Sequence, residues 1–271
     1  AQPQQLFGTE LPGQPARGNH NGGVLRFGPD RKLYVYAGDR GRRGQMQNLP
    51  DGPGPAGNQP DDQFGGPEPD DAHLTGVVLR LNDDGTTPPD NPFYAAGARR
   101  GGEVGANLQK VFAYGIRNGF GMAFDPASGN LWEAQNGDDS FTELNHVAAG
   151  ANLGWPYREA TSCFEPAVGC PTAGLVDPIL TYNHDPACAA TGGYVYRGAA
   201  FPTLRGTYFY GDYCSGWIRA VRRTGNQVVE AYSPLSSPLI NDNVVSFGED
   251  ADGEVYVVMA SGRIYLIMLG N

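Results

Sequence analysis

Apolar positions along the chain fall into short runs of four to eight residues, many alternating with polar ones and nearly all bounded by Gly, Pro or Asp. That is the pattern of short strands joined by turns. Three segments share one motif: LRFGPDRKLYVYAGD (25–39), MAFDPASGNLWEAQNG (122–137) and VSFGEDADGEVYVVMASG (245–262). Each has a strand carrying Phe, an Asp turn, and a second strand carrying Tyr or Trp, which is a hairpin signature. A fourth, weaker copy is GGYVYRGAAFPTLRGTYFYGDY (192–213). Further strand-like runs follow each hairpin: 74–82, then 142–150 with 178–183, then 216–223 with 227–233, and finally 262–269. No run of ten or more residues has a clear 3.6-residue period, so helix is expected to be minor.

Four units of three or four strands predict an all-β fold, a β-propeller of four-stranded antiparallel blades, as one domain over residues 1–271. A β-sandwich explains short strands equally well but not the recurring hairpin. The last unit stops after about three strands, as expected if an N-terminal strand, with QQLFGTEL (4–11) as candidate, completes it. Two long loops are expected, 40–72 and 83–108; loops of that length are usually functional.

Composition narrows the class. The chain has 271 residues, 40 of them Gly and 22 Pro, and 11% aromatic content, which suits many short elements and argues against disorder. Its net charge of −10 lacks the basic surface a nucleic-acid partner requires. No apolar run is long enough to span a membrane, and the N-terminal stretch has no apolar signal core. Four cysteines, at 163, 170, 188 and 214, fit no zinc spacing. Two disulfides in a secreted or periplasmic protein are expected, with three pairings open; Cys163–Cys170 would close a short loop and Cys188–Cys214 would join neighbouring elements.

NHNGGVLRFGPDRKLYVYAGD, VFAYGIRNGFGMAFDPASGNLW, NGDDSFTELNHVAAGANLGWP and GGYVYRGAAFPTLRGTYFYGDYCSG, in that order, resemble the pyrroloquinoline-quinone (PQQ)-dependent sugar dehydrogenases, the glucose/sorbosone dehydrogenase family. The resemblance covers residues 18 to 269 and implies a six-bladed propeller, of which four units are recognisable: either two N-terminal blades are missing or the ring closes with fewer. It implies hydride transfer from the anomeric carbon of an aldose to the quinone, with electrons passed to an external acceptor.

His20 is then the base for the anomeric hydroxyl; imidazole suits that role because histidine's unperturbed pKa of about 6.5 lies near working pH. Asp39 is the acid that orients it. The other reading of His20 is a solvated turn residue. Arg117 and Asn118 match positions facing the quinone oxygens; the alternative is a turn-closing arginine. Asn136, Gly137 and Asp138, with Glu143 nearby, match the segment holding Ca²⁺, which takes oxygen ligands; the alternative is an Asp-rich surface turn.

Gln47 is placed near sugar hydroxyls, and Tyr182, ahead of GGYVYRG, over sugar or cofactor. Trp155 is expected to pack between blades. The Asp-rich stretch 82–91 lacks EF-hand spacing and reads as a turn. His184 lies on a candidate rim loop and receives no role. The family's lysine for the cofactor carboxylates falls on Cys214 and its two arginines near Asn243 and Val245, leaving Arg197, Arg205, Arg219 and Arg222 as possible substitutes. The competing function is a catalytically silent secreted propeller that binds a protein or glycan.

Overall fold

The computed structural model describes residues 20–39, 74–224, 227–232 and 242–269. Gln47, the segment 40–72 and the candidate strand 4–11 lie outside them. The chain forms two compact units, residues 1–118 with 147–177, and residues 119–146 with 178–271.

In the first unit, β1 (Leu25–Phe27), β2 (Leu33–Ala37), β3 (Val77–Leu81) and β4 (Val111–Tyr114) form a four-stranded antiparallel sheet in chain order. Every residue of β3 is buried, and Val77, Leu79 and Leu81 join Val35, Ala37, Leu74 and Val111 in one apolar cluster. Burial of such side chains contributes roughly 1.5–3 kcal/mol each.

The segment 83–108, expected to be a loop, is helical in its second half. Helices α1 (Tyr94–Arg100) and α2 (Gly102–Lys110) pack with Gly97 against Gly105, where a Cβ on Gly97 would lie 2.4 Å from the Gly105 carbonyl oxygen. Glycine at the helix contact replaces the apolar stripe that periodicity detects, and it lowers helix propensity as well. The preceding stretch 82–91 is a turn, as expected. Buried Arg80 of β3 grips it: Nη1 and Nη2 donate to the two Asp90 carboxylate oxygens at 3.0 Å each, while Nε donates to Asp30 at 2.9 Å. This unit also contains a two-stranded ribbon, β8 (Arg158–Glu159) with β9 (Ser162–Cys163), and the Cys163–Cys170 disulfide.

The second unit contains three sheets. The first joins β5 (Asn118–Phe124), β6 (Leu131–Asn136), β7 (Phe141–Val147) and β10 (Leu180–Asn183). The next is β11 (Ala190–Val195), β12 (Thr207–Asp212), β13 (Ile218–Thr224) and β14 (Gln227–Tyr232). The last has three strands, β15 (Val244–Glu249), β16 (Val255–Met259) and β17 (Ile264–Leu266), as the sequence predicts.

These sheets stack face to face. Side chains alternate across a strand, so Tyr208 and Tyr210 of β12 pack with Trp132, Ala134 and Leu144, while Phe209 packs with Val244, Phe247 and Val257. The Trp132 and Tyr208 rings stack at 4.4 Å. Where β5 meets β11 the backbones nearly touch: a Cβ on Gly121 would lie 2.1 Å from the Cα of Gly192. The Cys188–Cys214 disulfide ties the loop entering β11 to the turn leaving β12. The strand groups follow the hairpin motif except for β4, which completes the first sheet, and the β8–β9 ribbon, neither of which was expected; each four-stranded meander has the form of a propeller blade.

Candidate active site

In the first unit, His20 and Asp39 are held together by main-chain contacts between three segments. Gly38 is the crossing point: a Cβ there would lie 2.3 Å from the His20 carbonyl oxygen and 2.8 Å from that of Arg117. Only glycine admits both, which explains the Ala-Gly-Asp end of β2. The Asp39 amide donates to the Arg117 carbonyl at 2.7 Å. On the His20 side, Gly22 at φ 71° has no room for a Cβ above the Tyr36 carbonyl, and the Gly23 amide donates to that oxygen at 3.0 Å. The Asn-His-Asn-Gly-Gly run therefore folds down against β2. His20 itself has φ 52°, a left-handed conformation costing on the order of 1–2 kcal/mol that the surrounding contacts offset.

This backbone brings His20 Nδ1 to 2.6 Å from Asp39 Oδ1. The Asp39 side chain is 1% exposed and the His20 side chain 14%. The other Asp39 oxygen accepts the indole N–H of Trp155 at 3.0 Å. With Nδ1–H donated to the carboxylate, the ring presents Nε2 as its basic nitrogen. The His20 imidazole is thus oriented by a buried carboxylate.

Arg117 follows Gly115, whose φ of 75° and lack of a Cβ let the chain press on the Asn152 side chain. The Trp155 amide donates to the Gly115 carbonyl at 3.0 Å, and the Arg117 guanidinium lies 5.4 Å from the centroid of the Trp155 ring. A cation over an aromatic face at that distance is attracted to it. Trp155, expected only to pack, also contributes a donor to Asp39 and a surface for Arg117. The one sequence sign of it was the Gly-Ala-Asn-Leu-Gly-Trp-Pro turn. Asn118 opens β5 and is half-buried.

In the second unit, Asn136 ends β6. Its side chain binds the backbone of Ala190 in β11, accepting the amide at 2.6 Å. Gly137 closes the turn to β7, its amide donating to Phe141 at 2.8 Å, and Asp138 lies on that turn, half-buried. What this turn offers a cation is main-chain oxygen and the Asp138 carboxylate, a hard donor set of the kind Ca²⁺ accepts. Glu143 is not among those donors. It is buried in β7, accepting Gln135 Nε2 at 2.8 Å and Asn145 Nδ2 at 3.2 Å, beside the equally buried Glu133. No cluster of three or more His, Cys, Asp or Glu placed to hold a metal occurs among the described residues. Beside the turn is a hollow of about 440 Å³ lined by Asp139, Ser140, Phe141, Asn183, His184 and Asp185. His184 bonds Thr142 through Nε2 at 3.1 Å.

Tyr182 lies in β10, within the strand-like run 178–183. Its hydroxyl donates to Asp212 at 3.2 Å, and burial followed by the Asp212 charge pushes its pKa well above the usual phenol range. The phenol end is committed to the fold, leaving only ring edge or face for a ligand. Cys214, at the position of the family's lysine, is in a disulfide, and Asn243 donates to the Tyr213 carbonyl at 2.6 Å. Among the four substitute arginines, Arg197 is held by Asp125 at 2.6 and 2.7 Å. Arg205 and Arg222 lie with it around a cavity away from the Asn136 turn. Arg219 stacks on Trp217 at 4.1 Å and has no ion-pair partner among the described residues.

The family model for glucose/sorbosone dehydrogenase matches residues 2–266. The chain belongs to that family. An uncharacterized protein of Synechocystis is 30% identical over 93% of this chain and 56% of its own length. Quinoprotein glucose dehydrogenase B of Acinetobacter calcoaceticus is 35% identical over 146 residues, 54% of this chain and 28% of that protein. The crystal structure of the soluble aldose sugar dehydrogenase of Escherichia coli in its apo-form superposes with a TM-score of 0.69 at 26% identity, over 93% of this chain and 64% of that one. The chain thus spans less than two thirds of each of these relatives. The all-β architecture and the family membership agree with the sequence reading.

Proposed function

We propose that the protein is a PQQ-dependent oxidoreductase of aldose sugars, working as one propeller domain, and that His20 is its general base. The observation that carries this reading is the His20–Asp39–Trp155 chain of hydrogen bonds, a half-buried imidazole fixed through Nδ1 by a buried carboxylate. His20 Nε2 takes the proton of the anomeric hydroxyl, and Asp39 stabilises the imidazolium that results. Arg117, supported by Trp155, and Asn118 supply donors for oxygens on which negative charge grows, the kind of interaction that lowers a barrier most. When bound, the quinone accepts the hydride and Ca²⁺ polarises its carbonyl.

The residue types this reading assigns to the cofactor are of the kind it requires. Arg117 and Asn118 suit its quinone oxygens, Arg219 is an available cation for a carboxylate, and Asn136, Gly137 and Asp138 are assigned to Ca²⁺. Tyr182 is retained as an aromatic surface, and Gln47 as a sugar contact. Electrons leave to an external acceptor. The two disulfides support a secreted or periplasmic location.

The test is to add PQQ and Ca²⁺ to the purified protein and follow dye reduction with a panel of aldoses alongside thermal unfolding. Reduction with at least one aldose, and a rise in Tm on loading, are expected. Absence of both changes would overturn the redox reading in favour of a silent binding module.

A further inference from the structure

At the opposite end of the second unit's sheets is a cavity of about 590 Å³ that the redox reading leaves unused. Trp132, on its wall, is the second residue of β6 and Asn136 the last, so the cavity lies roughly 13 Å along the strand from the Asn136 turn. Arg197, Arg205, Arg222 and Arg223 line it together with His146 and a single carboxylate, Asp125.

Asp125 is fully used. Arg197 forks onto both its oxygens, and the Ser128 hydroxyl and Ala127 amide donate to it as well. Its charge neutralises Arg197 and is not shared with Arg205 or Arg222. Arg205 donates through Nε to the Gly198 carbonyl at 2.9 Å, and Arg222 donates to the Thr203 carbonyl and the Thr207 hydroxyl at 2.6 and 2.8 Å. These acceptors are neutral, and neither guanidinium has a carboxylate within ion-pair distance among the described residues. The Arg223 guanidinium donates to His146 Nδ1, another neutral acceptor. In a chain of net charge −10, Arg205 and Arg222 line a hollow whose one carboxylate is already held by Arg197.

Like charges sharing a cavity repel, and an anion that enters between them removes that repulsion while using the forked N–H groups they present. We propose that this cavity is a binding site for a tetrahedral oxyanion, the phosphate or sulfate group of a small solute, gripped by Arg205 and Arg222. Its volume falls in the range of small-molecule sites and exceeds that of a bare anion, so it accommodates a phosphorylated monosaccharide as well as inorganic phosphate.

Calorimetric titration of the full chain at fixed ionic strength tests this, with inorganic phosphate, inorganic sulfate and glucose 6-phosphate as probes, and sodium chloride and glucose as controls. Saturable binding of phosphate is expected, weakened at least tenfold in Arg205→Gln and in Arg222→Gln. Tighter binding of glucose 6-phosphate than of phosphate would support the site and identify an ester as its occupant; equal binding would support it with free phosphate as the occupant. Arg205 is exposed, so Arg205→Gln carries the test if Arg222→Gln does not fold. Absence of saturable phosphate binding, equal competition by chloride, or unchanged affinity in a folded Arg205→Gln protein would overturn the proposal.

Discussion

Asp39 and Asp212 occupy equivalent places in two sheets. Each follows a glycine at the end of a strand, in Ala-Gly-Asp and Tyr-Gly-Asp, and each is buried. Both glycines are required by close packing, Gly38 under the His20 and Arg117 carbonyls and Gly211 against Val244. The partners differ. Asp212 accepts the Tyr182 hydroxyl and the amides of Cys188, Ala189 and Ser215 at 2.8–3.2 Å. The three amides belong to the loops of the Cys188–Cys214 bridge and cannot titrate, while Tyr182 reaches in from β10. Asp39 instead holds an imidazole and an indole. The same strand-end motif thus binds main-chain amides and a phenol in one sheet and an imidazole in the other, which under the proposed function is the proton acceptor. What distinguishes them is whether a donor can change its protonation state during a reaction.

Replacing each carboxylate should separate the two roles. Asp39→Asn removes the charge that fixes and stabilises the His20 ring, and turnover of the PQQ- and Ca²⁺-loaded protein is expected to fall by about 10²–10⁴-fold with the fold retained. Steady-state dye reduction together with circular dichroism checks this. Asp212→Ala should do the reverse. It strands four donors in a buried place and is expected to cost about 3–5 kcal/mol of stability, read as a shift of the urea midpoint. If Asp212→Ala left stability unchanged, the contrast between the two aspartates would fail.

A smaller effect comes from His146, which is linked to neither aspartate. Burial first, then Arg223, lower its pKa to about 4 against an ordinary 6.5, while Asp125 raises it in part. Between those values the unfolded chain binds a proton that the folded chain refuses. Its contribution is therefore intact above about pH 6.5 and is lost as pH falls toward 4. Melting temperatures from pH 7 to 4.5 should decline, and His146→Gln should flatten that slope. An unchanged slope in the variant would assign the acid sensitivity elsewhere.

The hairpin repeat was enough to read most strands of the four larger sheets from the sequence, though not β4 or the β8–β9 ribbon, because strand periodicity and Asp turns are local signals. The α1–α2 pair was hidden because its contact is made of glycines. The indole of Trp155 meets Asp39 across 116 residues, and no local pattern encodes that meeting. Glu143 sits in an acidic, loop-like string yet faces the sheet interior, where Gln135 and Asn145 satisfy it. Composition counts carboxylates and cannot tell which of them the pleat turns inward.

The most direct test of the account is the turnover of His20→Asn after loading with PQQ and Ca²⁺, measured beside its affinity for PQQ. The account predicts cofactor affinity within about threefold of the parent protein and a turnover lowered by at least about 10²-fold at saturating aldose. Parental turnover in a folded, loaded His20→Asn protein would contradict it.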